Sequence, residues 1–216
     1  ATQRSQDLTP SAPDSPRWLP LPGTAQEAVV LQSILPKAIV FTEANATENL
    51  IKTSQSPRIL HLATHGFFLP SQGKIKNPLL RSGLVLAGAN LYDSGDEDGI
   101  LTALEASGLD LRGTQLVVMS ACETGLGEVT DGEGVYGLRR AFTLAGVESQ
   151  VMSLWSVSDD ATQALMGQFY GHLVQDHQGR SEALRQAQLT LLANPQTANP
   201  YYWAAFIPSG NWQKIR

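Results

Sequence analysis

Residues 115–125 read "QLVVMSACETG". Leu116, Val117, Val118 and Met119 are apolar at consecutive positions, not at alternate ones. Successive side chains of a strand point to opposite faces, so this run needs cover on both sides of its sheet, as the strands of parallel α/β sheets have. The run ends at Ser120-Ala121 and delivers Cys122 into a stretch rich in Gly and Glu (123–134). Cys122 is the only cysteine in 216 residues. A free cysteine packs as a small hydrophobe in many cores, whereas a thiol at the end of a strand is placed to attack something.

The rest of the chain supplies the cover. "KAIVF" (37–41), "RILHLA" (58–63), "GLVLAG" (83–88), "QVMSLW" (150–155) and "YYWAAFIP" (201–208) read as further strands. Helical spacing joins Ala28, Leu31, Ile34 and Leu35, closed by Pro36. It also joins Val135, Leu138, Phe142 and Ala145, closed by Gly146. Further helices span about 160–175 and, after Gly179, run to about 193. Thr24–Glu27, Asn45–Glu48 and Thr102–Glu105 have the spacing of capping boxes. Strands alternating with helices predict an α/β fold with a mostly parallel central sheet flanked by helices. Residues 1–16 ("ATQRSQDLTPSAPDSP") are polar and Pro-rich and read as a linker, leaving 17–216 as the folded domain. The chain opens on Ala1 rather than Met, so an upstream domain is expected.

Composition excludes several classes. Net charge is −5, with no basic footprint for nucleic acid. No apolar run reaches the length of a membrane-spanning helix. One cysteine and four histidines exclude a disulfide framework and a cysteine-rich zinc site, and fit a reducing, cytoplasmic setting. No cofactor is expected.

Functional groups of open α/β sheets collect beyond the carboxyl ends of parallel strands. "RILHLATHGFF" and "QLVVMSACETG" place His65 and Cys122 there. The crossover between them is long enough to keep the two strands parallel, with both ends on one edge of the sheet. An imidazole beside a thiol activates it as base or ion-pair partner. The N–H groups of Gly66 and Cys122 are the candidate oxyanion donors.

"LHLATHGFF" and "VVMSACETGLGEVTDGEGVYGLRRAFTLAGVESQVMSLWSVSD" resemble the CHAT family, caspase-like cysteine peptidases often appended to tetratricopeptide repeats and akin to caspases, separase and gingipains. "LPGTAQEA", "DGILTALEASGLDL" and the "YYWAAF" ending extend the resemblance from about residue 18 to the C-terminus. It implies a caspase-like three-layer sandwich, a His65–Cys122 dyad, protein or peptide substrates and an upstream repeat domain. "LWSVSDD" is similar to the segment that lines the specificity pocket of separase-like enzymes. That likeness makes Ser153, Trp155, Asp159 and Asp160 candidate substrate-binding residues, with Asp159 the acid for a basic side chain before the scissile bond.

His61 reads as a core residue or a support behind the dyad, and His172 and His177 as surface groups. "DSGDEDG" (93–99) lacks the ligand spacing of a calcium loop and reads as a solvated acidic loop. Segments 69–83 and 123–134 are candidate regulatory loops, and the first carries Lys74, Lys76 and Arg81 as sites for self-cleavage. A dormant scaffold of the same fold, or an acyltransferase with the same dyad, is the alternative to a peptidase.

Overall fold

The computed structural model describes residues 18–69, 77–120, 122–123 and 133–216. In chain order the elements are α1 (Pro22–Ile34), α2 (Glu48–Thr53), β1 (Ile59–Leu62), β2 (His65–Phe68), β3 (Ser82–Val85), β4 (Ile100–Thr102), α3 (Ala103–Ser107), β5 (Leu116–Met119), β6 (Cys122–Glu123), α4 (Glu133–Leu144), β7 (Ser149–Ser153), α5 (Asp159–Tyr170), α6 (Arg180–Ala193) and β8 (Phe206–Gly210). The central sheet has the order β1-β5-β7-β8. Its first three strands are parallel and β8 closes it antiparallel. A second sheet, β4-β3-β2-β6, continues from it.

The central strand β5 explains the layering. Leu116 and Val118 are buried with Leu165, Phe169 and Leu184 of α5 and α6 on one face. Val117 and Met119 are buried with Ala103, Ala141 and Phe142 of α3 and α4 on the other. Each fully buried side chain of this kind contributes about 1.5–3 kcal/mol. The consecutive apolar run therefore fits a middle layer between two helical ones. This is the three-layer α/β architecture expected, with a mostly parallel central sheet.

The two strands that carry His65 and Cys122 do not stop at the edge of the central sheet. β1 passes through Ala63-Thr64 into β2, and β5 passes through Ser120 into β6. Pairing persists across the bend, where the Ser120 N–H donates to Leu62 O at 3.1 Å. The offset between partners is 57 positions on both sides, from Ile59↔Leu116 to His65↔Cys122. His65 and Gly66 thus lie in a strand, where the sequence suggested a loop. β2 is held on its other side by antiparallel β3.

Other expectations move for physical reasons. Residues 37–41 form no strand: Ile39 is 82% and Phe41 47% exposed. β1 is an edge strand with β5 as its neighbour, so this short apolar run has no partner among the described residues. α1 starts at Pro22, whose missing N–H costs nothing in a first helical turn. Thr24 therefore lies inside the helix, its hydroxyl donating to Leu21 O, and Glu27 turns into the core rather than back to a cap. Thr47, not Asn45, caps α2 by accepting from Leu50 N. The Thr102–Glu105 box forms as written, with both reciprocal bonds. α5 gives way after Tyr170 to a wider turn over Gly171–Gln175. Residues 201–203 precede β8 instead of joining it. The expected linker 1–16 lies outside the described residues, as do 70–76 and 124–132 of the two expected regulatory loops.

α4 ends as its spacing predicts. Gly146 has φ +97°, its N–H donates to Thr143 O, and the Val147 N–H donates to Phe142 O. That pair of bonds is a Schellman stop, which requires a left-handed residue. Gly146→Ala is expected to cost about 1–2 kcal/mol, because an L-residue resists that conformation. Chemical denaturation of the variant beside the parent measures it, with an unchanged m-value.

Candidate functional site

His65 is half-buried at the start of β2, directly in register with Cys122 of β6. Parallel neighbours lie about 4.8 Å apart. The His65 Nε2–H donates to Leu19 O at 2.6 Å. A carbonyl only accepts, so the ring's basic lone pair sits on Nδ1. Leu19 is fixed by its neighbour. The Trp18 N–H donates to Asn90 Oδ1, Asn90 Nδ2 returns a bond to Trp18 O, and the Trp18 ring lies 5.4 Å from that of His65. Gly66 is buried and registered with Glu123.

Behind this pair lies a buried polar network that ties α1 and α5 to the same two strands. Glu27 of α1 is 3% exposed. Its Oε1 lies 3.0 Å from His61 Nε2, and its Oε2 accepts from Ser120 Oγ at 3.1 Å. The Tyr170 hydroxyl lies 3.0 Å from His61 Nδ1. Burial, with the Glu27 charge adding to it, holds the Tyr170 phenol well above its ordinary pKa. The phenol therefore stays protonated beside the imidazole. His61, four residues before His65, has partners on both ring nitrogens, and Ser120 is two residues before Cys122.

Asp159 begins α5, where Ser158 caps the helix. It is exposed, and its Oδ2 accepts from the Gly23 N–H at 3.0 Å. Together with Leu21, Gly23, Thr24, Glu27, Ser120 and Thr162 it lines a small recess of about 20 Å³. Asp160, Trp155 and Ser153 do not line it. Asp160 is exposed, the Trp155 indole donates to Tyr201 O, and Ser153 is buried opposite Phe206 of β8. His172 pairs with Asp176 at 2.7 Å on the surface.

Sequence reasoning missed Glu27, Thr162, Tyr170 and the Leu19 carbonyl. Glu27 carried a signal: it falls four residues before Leu31, on the stripe that α1 turns inward. The capping-box spacing hid it. Leu19 acts through its backbone, which no side chain advertises.

The acidic loop is exposed at Asp93 and Asp96, as expected, but Glu97 turns inward. Glu97 joins Glu48 and Glu105 around Lys52 Nζ, at 2.9, 2.7 and 3.1 Å. These three carboxylates are close enough to hold a metal ion, and the Lys52 ammonium already supplies the cation. Asp98 accepts from the Ile100 N–H, while Asp93 and Asp96 share no such cluster.

A family model described as the CHAT domain matches residues 1–211. Tetratricopeptide repeat protein 28 of Homo sapiens is 25% identical over 223 residues, covering 92% of this chain. The same protein of Mus musculus is 25% identical over 225 residues. The chain spans 9% of the length of each. Among the described residues, no helix is long and apolar enough to cross a membrane.

Lys52→Met is expected to destabilise the fold by about 3 kcal/mol at neutral pH, because it strands the fully buried Glu48 carboxylate. Burial raises the Glu48 carboxyl above 4.5, and Lys52 pulls it partly back. Burial alone would lower Lys52, but hydrogen bonds to Glu48, Glu97 and Glu105 hold it above its ordinary value. A raised carboxyl favours the folded state at low pH and loses that contribution as pH rises through its folded value. Removing Lys52 raises Glu48 further. Denaturation across pH should therefore show a deficit largest near neutrality that narrows as pH falls toward and below 4.5.

Proposed function

Because the chain belongs to the CHAT domain family, we propose that it is a cysteine endopeptidase in which His65 and Cys122 form the catalytic dyad. The observation that carries this reading is their register: histidine and cysteine are direct partners on neighbouring parallel strands. The Leu19 carbonyl supports it by taking Nε2–H, which turns the basic Nδ1 to the work of the dyad. Nδ1 takes the thiol proton and the thiolate adds to the scissile carbonyl. The N–H groups of Gly66 and Cys122 receive the developing oxyanion. The imidazolium protonates the departing amine, an acyl-enzyme remains, and a water that gives its proton to Nδ1 releases the acid. Asp159 takes the basic side chain that precedes the cut, in line with its place at the recess.

An upstream repeat domain governs this activity in the proposed reading. The relatives are named for tetratricopeptide repeats, and this chain matches a small fraction of their length. The segment from Trp18 to Leu21, which touches His65 through Leu19, gives that domain a direct route to the dyad. A cytoplasmic, reducing setting keeps the thiol available.

The test is peptide-library cleavage with Cys122→Ala and His65→Ala beside the parent. Cys122→Ala should abolish turnover and stoichiometric labelling by a peptidyl electrophile. His65→Ala should lower kcat/KM by about 10³-fold or more. Both should retain the parent's circular dichroism. Turnover that survives Cys122→Ala defeats the peptidase assignment. Labelling without any cleaved sequence favours a dormant scaffold, and transfer of the acyl group to an added amine favours the acyltransferase.

A further inference from the structure

His65 is held by a segment that is itself held by one side chain. The Trp18 N–H donates to Asn90 Oδ1 and Asn90 Nδ2 donates to Trp18 O, both at 2.9 Å. One amide thus grips both backbone groups of one residue and fixes its place and its direction together. The next carbonyl in the chain, Leu19 O, accepts from His65 Nε2 at 2.6 Å. The Leu19 side chain does not anchor it, being 68% exposed. The Trp18 ring packs beside those of His65 and Phe67, at 5.4 and 6.3 Å between ring centres. Ring packing sets how near Trp18 lies, while the Asn90 amide sets the rotation of its peptide groups. That rotation aims Leu19 O.

The loop that carries Asn90 suits it to this work. Asn90 sits in a single 3₁₀ turn, Ala89–Leu91, between two left-handed residues, Gly88 at φ +89° and Tyr92 at φ +51°. A side chain at Gly88 would overlap the Asp93 carbonyl, so the turn is closely folded. Ala89 is buried with Phe67, Val85 and Ile100, the cluster against which Trp18 packs. The far half of the loop is tied to the Lys52 centre. Ser94 Oγ accepts from the Glu48 N–H at 3.3 Å, the Gly99 N–H donates to Glu48 Oε2 at 2.9 Å, and Glu97 pairs with Lys52. A reacting group is held accurately only when the residues behind it are themselves held.

Stability does not account for the Asn90 pair. Both of its bonds are exposed, and an exposed hydrogen bond replaces one to water with little net gain. What the pair supplies is direction, and the group at the end of the line is an imidazole.

We propose that Asn90 is a positioning residue of the site, whose amide aims the Leu19 carbonyl at His65 and so keeps the ring in one orientation with its proton on Nε2. The effect on turnover rests on the reading of His65 as the base of the dyad, whereas the effect on the ring does not. Without the grip, Nε2–H donates to water and the ring turns more freely. Fewer molecules then hold Nδ1 in the geometry that proton transfer requires.

The experiment follows the His65 Nε2–H by proton–nitrogen NMR, and turnover per titrated thiol, in the parent, Asn90→Ala, Asn90→Asp and Leu91→Ala. Asn90→Asp keeps an acceptor for the Trp18 N–H but has no donor for Trp18 O. Leu91→Ala, at an 81% exposed neighbour on the same turn, controls for disturbance of the loop. The parent and Leu91→Ala should show an Nε2–H resonance protected from solvent exchange, assigned by its loss in His65→Ala. Both Asn90 variants should lose that protection. Their kcat should fall by about tenfold or more with KM within about twofold, because misplacing a reacting group acts on the chemical step. Thermal midpoints should stay within a few degrees of the parent's.

A protected Nε2–H that survives in Asn90→Ala, or that is missing from the parent, overturns the proposal. So does an active parent whose rate per thiol Asn90→Ala leaves unchanged, since a merely structural role lowers the thermal midpoint and the count of active thiols instead. Loss of protection in both Asn90 variants of a chain with no Cys122-dependent cleavage upholds the positioning role while the peptidase reading falls.

Discussion

Two parallel strands leave the central sheet and enter the second one without a change in pairing, and this constraint positions the rest of the site. With the offset held at 57 positions from Ile59↔Leu116 through His65↔Cys122, neither strand gains a bulge at the bend. A slip of one residue would break the His65↔Cys122 register. The register is secured well upstream, where all four residues of β5 are buried. Hydrophobic burial on both faces of β5 thus fixes the relation of two polar residues that lie beyond it.

Polar groups pack against the strands just before the bend. His61 and Ser120 sit on the two strands just before the switch and meet Glu27 from α1 and Tyr170 from α5. An apolar core here would have been cheaper, since burying charge and hydrogen-bonding groups carries a desolvation cost. The network instead joins α1 and α5 to the two strands that lead to His65 and Cys122. Trp18 and Leu19, immediately before α1, then reach over to His65. The orientation of α1 and that of the imidazole are therefore mechanically connected.

A second polar centre, around Lys52, does a different job. It links α2, the acidic loop at Glu97 and α3 at Glu105. Glu48 also accepts from the Gly99 N–H, closing the loop onto α2. The first centre joins one acid to a histidine and a serine, and the second surrounds a cation with acids.

The sequence alone determined the layering, because a consecutively apolar strand such as Leu116–Met119 has only one economical place, between two covering layers. It determined the stops and caps that depend on neighbours in the chain, as at Gly146 and at Thr102–Glu105. It also placed His65 and Cys122 beyond β1 and β5, but not in the strands β2 and β6 that they begin. Residues 37–41 misled because a short apolar run is the same in a paired strand and in an exposed stretch, and pairing depends on a partner distant in sequence. Only the tertiary structure decided that Glu27 faces inward, since the same four-residue spacing serves a cap when the helix starts at Thr24 and a buried acid when it starts at Pro22. The Leu19 carbonyl has no sequence signal of its own. What it does depends on which atoms the folded chain brings within hydrogen-bond reach, and over such distances local spacing holds no information.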